Sequence, residues 1–127
     1  MSDSRGGAIV WQDLTVAEAG AIKDFYSKVT GWGVNEEPMG DYVDYSMSDQ
    51  DGNVVAGICH ARGSNAGLPP QWLVYIQVAS VAASARMCQD LGGKVLDGPR
   101  RMGAQDFCVI QDPAGAVAAL MGPSSED

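Results

Sequence analysis

The spacing of apolar positions changes several times along the chain. Residues 8–14, Ala-Ile-Val-Trp-Gln-Asp-Leu, carry β-branched and aromatic side chains over a strand-like length. Ile22, Phe25, Tyr26 and Val29 then recur at helical spacing, with Lys23, Asp24, Ser27 and Lys28 on the remaining surface, which predicts an amphipathic helix. Thr15 followed by Glu18 has the form of a capping box for its start, and Gly31 supplies a left-handed residue for its end. After Gly31 the helical period is lost. Trp32–Asn35, Tyr42–Ser48 and Asn53–Cys59 read as short strands, separated by Glu36-Glu37-Pro38 and Asp49-Gln50-Asp51-Gly52.

Residues 61–71 hold two Gly and two Pro without any period and read as a linker. The same order then returns. Trp72–Val78 is a strand, and Ser80 caps a helix carrying Val81, Ala85, Cys88 and Leu91, which Gly92-Gly93 closes. Strands follow at Lys94–Leu96, Ala104–Ile110 and Ala116–Met121. Trp11 and Trp72, Gly31 and Gly92, and Gln50-Asp51 and Gln111-Asp112 all stand 61 residues apart; beyond that turn the offset is 62, matching Val55–Ile58 with Val117–Leu120. Anchors that keep one order and nearly one spacing indicate an internal duplication. The expected organisation is one α+β domain of two βαβββ modules, residues 7–60 and 72–123, joined by the linker.

Each such sheet has one face for its helix and one face bare. In Trp72–Val78, period two separates Val74, Ile76 and Val78 from Leu73, Tyr75 and Gln77. The aliphatic set suits packing on the helix, and the mixed set suits a partly wet concavity that holds a ligand. Asp51 and Asp112 are expected to shape equivalent turns through their side chains.

Composition narrows the function. The chain has 127 residues and carries 8 Lys and Arg against 16 Asp and Glu, a formal net charge of −8. At this length roughly two-thirds of the unfolded chain's surface is buried without help from disulfides or metal. The acidic surface disfavours nucleic acid and anionic membranes and tolerates a neutral or cationic small molecule. No apolar run approaches the length of a membrane span, and residues 1–7 lack the apolar centre of a secretory signal, so a cytoplasmic location is expected. Cys59, Cys88 and Cys108 cannot pair completely and lack C-x-x-C spacing, which indicates reduced thiols.

Trp11-x-Asp13-Leu14, Phe25-Tyr26-x4-Gly31-Trp32, Trp72-x2-Tyr75-x2-Val78, Leu91-Gly92-Gly93-Lys94-Val95 and Asp112-Pro113-x-Gly115-Ala116 together resemble the vicinal oxygen chelate superfamily. That superfamily includes glyoxalase I, bleomycin-resistance proteins and ring-cleaving dioxygenases. The resemblance implies that the two modules form a cup-shaped open β-barrel, often as a homodimer. In the metal-using members, His, Gln or Glu ligands point into the cup from the first and last strands of each module. By resemblance these positions fall here on Trp11, Gly57, Leu73 (or Trp72) and Ala119. None has a side chain that donates lone pairs to a metal ion, so no metal cofactor is expected.

The candidate ligand-binding residues are Trp11, Asp13, Trp32, Trp72, Leu73, Tyr75, Gln105 and Phe107. Large aromatic rings offer broad apolar contact, Asp13 shares the face of Trp11 by alternation, and Gln105 can hydrogen-bond a ligand oxygen. His60, the one histidine, reads as a rim residue, because adjacent strand positions point it away from Cys59. The expected function is metal-free binding of a small apolar or cationic molecule in an aromatic cup. The alternatives are a metal-dependent lyase, isomerase or dioxygenase using His60, Asp13, Asp44 and Asp106, and a structural dimer without ligand.

Overall fold

The computed structural model describes residues 6–63 and 66–124. The expected readings at the first five residues, and at Ser64 and Asn65 of the linker, lie outside the described residues. Two compact units are formed: Trp11–Trp72, and the residues up to Val10 together with those from Leu73 onward.

The first unit holds most of β1 (Ile9–Val16), then α1 (Ala19–Thr30), β2 (Gly33–Pro38), β3 (Val43–Ser48) and β4 (Val54–His60). β2 pairs antiparallel with β3, β3 antiparallel with β4, and β4 parallel with β1. Leu14, Ala19, Tyr45, Met47 and Ile58 form the core under α1, joined by Ile22 and Tyr26. The predicted apolar stripe of α1 is only half used, since Phe25 and Val29 remain 52% and 64% exposed. The capping box is not formed. Thr15 and Val16 extend β1 in register with Cys59 and His60, and Glu18 takes the N-cap position without a side-chain cap bond. Ladder pairing has thus claimed the hydroxyl residue that local spacing assigns to the helix. The C-terminus follows expectation: Gly31 is left-handed at φ 83° and its N–H donates to the Ser27 carbonyl.

The second unit repeats this plan with β5 (Trp72–Gln77), α2 (Val81–Asp90), β6 (Lys94–Met102), β7 (Gln105–Gln111) and β8 (Val117–Pro123). β5 runs parallel to β8, and β8–β7 and β7–β6 are antiparallel. The chain ahead of β1 adds to this unit, because Gly7 N–H donates to the Gln77 carbonyl and Gln77 N–H to that of Ala8. Ser80 caps α2 as predicted, its Oγ accepting from Ala83 N–H at 3.1 Å. Val81 and Ala85 pack on Cys108 and Leu120, with Ile76 and Val78 alongside. The aliphatic set of β5 therefore meets the helix. Leu91, expected on the helix stripe, is 70% exposed.

β6 outruns its predicted three residues. Irregular register after Val95 and after Asp97 absorbs Gly98-Pro99, which reads locally as a breaker, and lets pairing resume to Met102. β2 likewise runs through Glu36-Glu37-Pro38, pairing on one side with β3 and ending on the proline. The equivalent turns are shaped by Asp49 and Asp112, not by Asp51. Asp49 Oδ1 accepts from the backbone of Asp51 and Asn53, as Asp112 Oδ1 does from Ala114 and Ala116.

Candidate ligand-binding site

Alternation gives each sheet a face turned away from its helix. In the first unit that face carries Trp11, Asp13 and Thr15 of β1, Gly57 and Cys59 of β4, Asp44, Ser46 and Ser48 of β3, and Asn35 and Glu37 of β2. It is notably polar. Asn35 Nδ2 donates to Ser48 Oγ at 2.8 Å, and Ser46 Oγ donates to Glu37 Oε2 at 2.7 Å. Trp11 Nε1 donates to Asp13 Oδ2 at 3.3 Å. A Cβ placed on Gly57 would lie 3.4 Å from Trp11 Cζ2 and 3.2 Å from Asp13 Cβ, so the indole covers the volume into which any side chain at this position would grow.

Asp44 joins two neighbours that alternation separates. Its Oδ1 accepts from the backbone N–H of His60 at 2.9 Å and lies 3.3 Å from His60 Nδ1. The Cys59 thiol hydrogen-bonds the same carboxylate. Burial, reinforced by the charges of Asp13 and Asp44, pushes the Cys59 thiol up to about 12. It stays protonated at neutral pH and is a poor nucleophile. The imidazole faces the rings of Tyr42 and Tyr45. Sequence reasoning placed Asp44 only among donors for a metal; its role as a bridge between Cys59 and His60 carries no local signal.

In the second unit, Leu73, Tyr75, Gln105 and Phe107 share the face opposite α2. Tyr75 stacks on Phe107 at 5.7 Å and 29°, and the Arg100 guanidinium lies 4.9 Å from the Phe107 centroid. Asp97 holds that guanidinium at two points, 3.2 and 3.1 Å. Leu73, Tyr75 and Gln77 are more buried than Val74, Ile76 and Val78. The mixed face is thus the drier one, where partial wetness was expected.

Trp32 and Trp72 lie elsewhere. Both pack against the α1-side core with Tyr26, and Trp72 Nε1 donates to Tyr26 Oη at 3.1 Å. They are on the opposite side of the sheet from Trp11 and Asp13. The expected grouping of all three tryptophans in one cup is therefore not what the first unit shows.

The metal-ligand positions implied by the resemblance do not fit a metal. Trp11 lies over Gly57, and Ala119 is fully buried between its ladder neighbours Tyr75 and Val109. Among the described residues, no group of three or more His, Cys, Asp or Glu is arranged to hold an ion.

Two βαβββ units, each with its first and last strands parallel, define a member of the vicinal oxygen chelate superfamily. Within it the chain belongs to the Glyoxalase-like domain family, whose profile matches residues 9–121. It is 35% identical over 122 residues to Putative glyoxylase CFP32 of Mycobacterium bovis, covering 94% of this chain and 47% of that protein. The Mycobacterium tuberculosis protein of the same name matches equally. The chain spans about half the length of these curated relatives. Solved structures with the same fold include Streptomyces coelicolor methylmalonyl-CoA epimerase, at 18% identity and TM-score 0.56, covering 95% of this chain and 100% of that one. Methylmalonyl-CoA epimerase from Mycobacterium tuberculosis, at 17% identity and TM-score 0.56, covers 98% and 93%.

Proposed function

We propose that this chain is a metal-independent glyoxalase-like domain that binds a small molecule with a flat apolar portion and a cationic group. The observation that carries the reading is the polar face of the first unit, where Trp11 covers Gly57 and the carboxylates of Asp13, Asp44 and Glu37 share its surface. An indole face attracts flat and cationic groups, and the partly buried carboxylates of Asp13 and Asp44, with the exposed one of Glu37, add charge complementarity. In this reading the working form is a homodimer in the cytoplasm.

The test compares N-methylquinolinium with neutral 2-methylquinoline at pH 8 by calorimetry. The cation is expected to bind about ten-fold tighter, or ~1.4 kcal/mol. That advantage should shrink in Asp13→Asn and Asp44→Asn, and Trp11→Ala should weaken both ligands. Equal affinities, or a tightly held Fe, Zn, Ni or Mn in protein purified without chelator, would sink the proposal. A homodimer is checked by light scattering.

A second, enzymatic reading is favoured by one contact. Asp44 Oδ1, 3.3 Å from His60 Nδ1, favours the tautomer with its proton on Nδ1, and in that tautomer Nε2 is a base of the kind used in proton transfer. Turnover of the methylglyoxal–glutathione adduct that disappears in His60→Gln would establish it in place of simple binding.

A further inference from the structure

On the α1 side of the first unit, opposite the face just described, a groove of about 260 Å³ lies between α1, β1 and the linker ahead of Trp72. Leu14, Val16 and Ile22 form its aliphatic side, and Phe25, Tyr26 and Trp72 its aromatic side. The rings are already ordered against one another. Tyr26 meets Phe25 at 5.1 Å and Trp72 at 5.3 Å, both edge to face. Phe25 is half exposed at the rim, so the apolar stripe of α1 is left uncovered where the groove opens.

We propose that this groove binds a small, uncharged aromatic molecule bearing one hydrogen-bond acceptor. No charged side chain lines it, so the groove offers no ion-pair partner to either an anion or a cation. Its volume suits a molecule of one or two rings. Aromatic pairs prefer the edge-to-face arrangement that the lining rings already adopt, and an inserted ring extends it. The acceptor requirement comes from Tyr26. Its oxygen accepts from Trp72 Nε1, which leaves the hydroxyl proton to donate to a ligand in a groove whose one other polar side chain is Gln71. The site is independent of the ligand reading for the opposite face.

The probe is 4-fluoroacetophenone, a neutral aromatic ketone, followed by fluorine NMR, with fluorobenzene as the analogue lacking the acceptor. The ketone should bind saturably, with a dissociation constant at or below about 1 mM. It should move the indole N–H signal of Trp72 and leave that of Trp11 in place. Tyr26→Phe should weaken the ketone about five-fold while fluorobenzene is unaffected. Phe25→Ala, at a half-exposed position where folding is not at stake, should weaken both about three-fold or more. Four results overturn the proposal: no saturation, a shift at Trp11 with none at Trp72, ketone affinity indifferent to Tyr26→Phe, or Phe25 and Val29 signals that change with protein concentration alone. The last would mean that a second copy covers the groove.

Discussion

Replacing Gly57 by leucine tests whether Trp11 occupies the space of the side chain that metal-using relatives would carry there. A Cβ at position 57 already sits 3.2 Å from Asp13 Cβ, tighter than ordinary contact, and 3.4 Å from Trp11 Cζ2, at van der Waals contact with the indole. The remaining leucine carbons must then displace the indole. Overpacking of this kind costs roughly 1–3 kcal/mol. The smaller backbone entropy of the unfolded leucine variant returns about 0.5–1 kcal/mol, because Gly57 is not at positive φ. A net loss of about 1–2 kcal/mol is expected for Gly57→Leu. In a Trp11→Ala background the indole volume is vacant and the same substitution should be neutral or stabilising, a coupling of about 2 kcal/mol. Urea unfolding followed by circular dichroism measures this. With a slope of about 2 kcal/mol/M, the coupling corresponds to about 1 M in the midpoint. If the two substitutions add within about 0.5 kcal/mol, Trp11 does not fill this position and the structural argument against a metal ligand here fails.

Three further outcomes follow from other positions. A Cβ on Gly122 would run into the Val78 carbonyl oxygen, a backbone atom that cannot step aside, so Gly122→Ala should cost about 2–3 kcal/mol and lower the thermal midpoint by roughly 6–12 °C; an unchanged midpoint contradicts the packing. Ser80→Ala should cost about 1 kcal/mol through loss of the bond to Ala83 N–H, while Glu18→Ala, which removes no cap bond, should stay within about 0.5 kcal/mol in the same urea assay. The unfolded chain releases the Cys59 proton near pH 9.0, whereas the folded chain holds it to about 12. The folded state then binds more protons over that window, so stability falls as pH rises above 9, by about 1.4 kcal/mol per pH unit from this group. Cys59→Ala should flatten the decline between pH 9.5 and 10.5 by that amount, and an unaltered slope would show the thiol to be unperturbed.

Much of the fold was legible because its signals are local. Gly31 and Ser80 end and start their helices through their own backbone conformation and hydroxyl, and the repeated order of elements follows from where the hydrophobic period changes. Local signals misled where pairing between strands competes with them. Thr15 is a good cap in isolation, yet it is drawn into the ladder opposite Cys59. The strand expected to end at Leu96 runs on past Gly98-Pro99, because register irregularities carry β6 through. Asp51 is the turn acceptor expected from its place before Gly52, and the chain path through the turn gives that role to Asp49.

Alternation within one strand was legible in the sequence, as it set Leu73 and Tyr75 against Val74 and Ile76, but the register of each unit's first strand against its last was not. Counting from Trp11 to Trp72 equates the two tryptophans. The ladders pair Asp13 with Gly57 and Tyr75 with Ala119, which makes Leu73 the counterpart of Trp11. A shift of one residue sends every side chain of a strand to the other face, and so Trp72 lies with Tyr26 on the α1 side. The amino-acid order alone therefore determined the duplicated architecture, the end of α1 at Gly31 and the start of α2 at Ser80. Tertiary structure decided the placement of Trp11 over Gly57, the bridging of Cys59 and His60 by Asp44, and the groove beside Phe25, because each depends on strand register and helix docking between residues far apart in the chain.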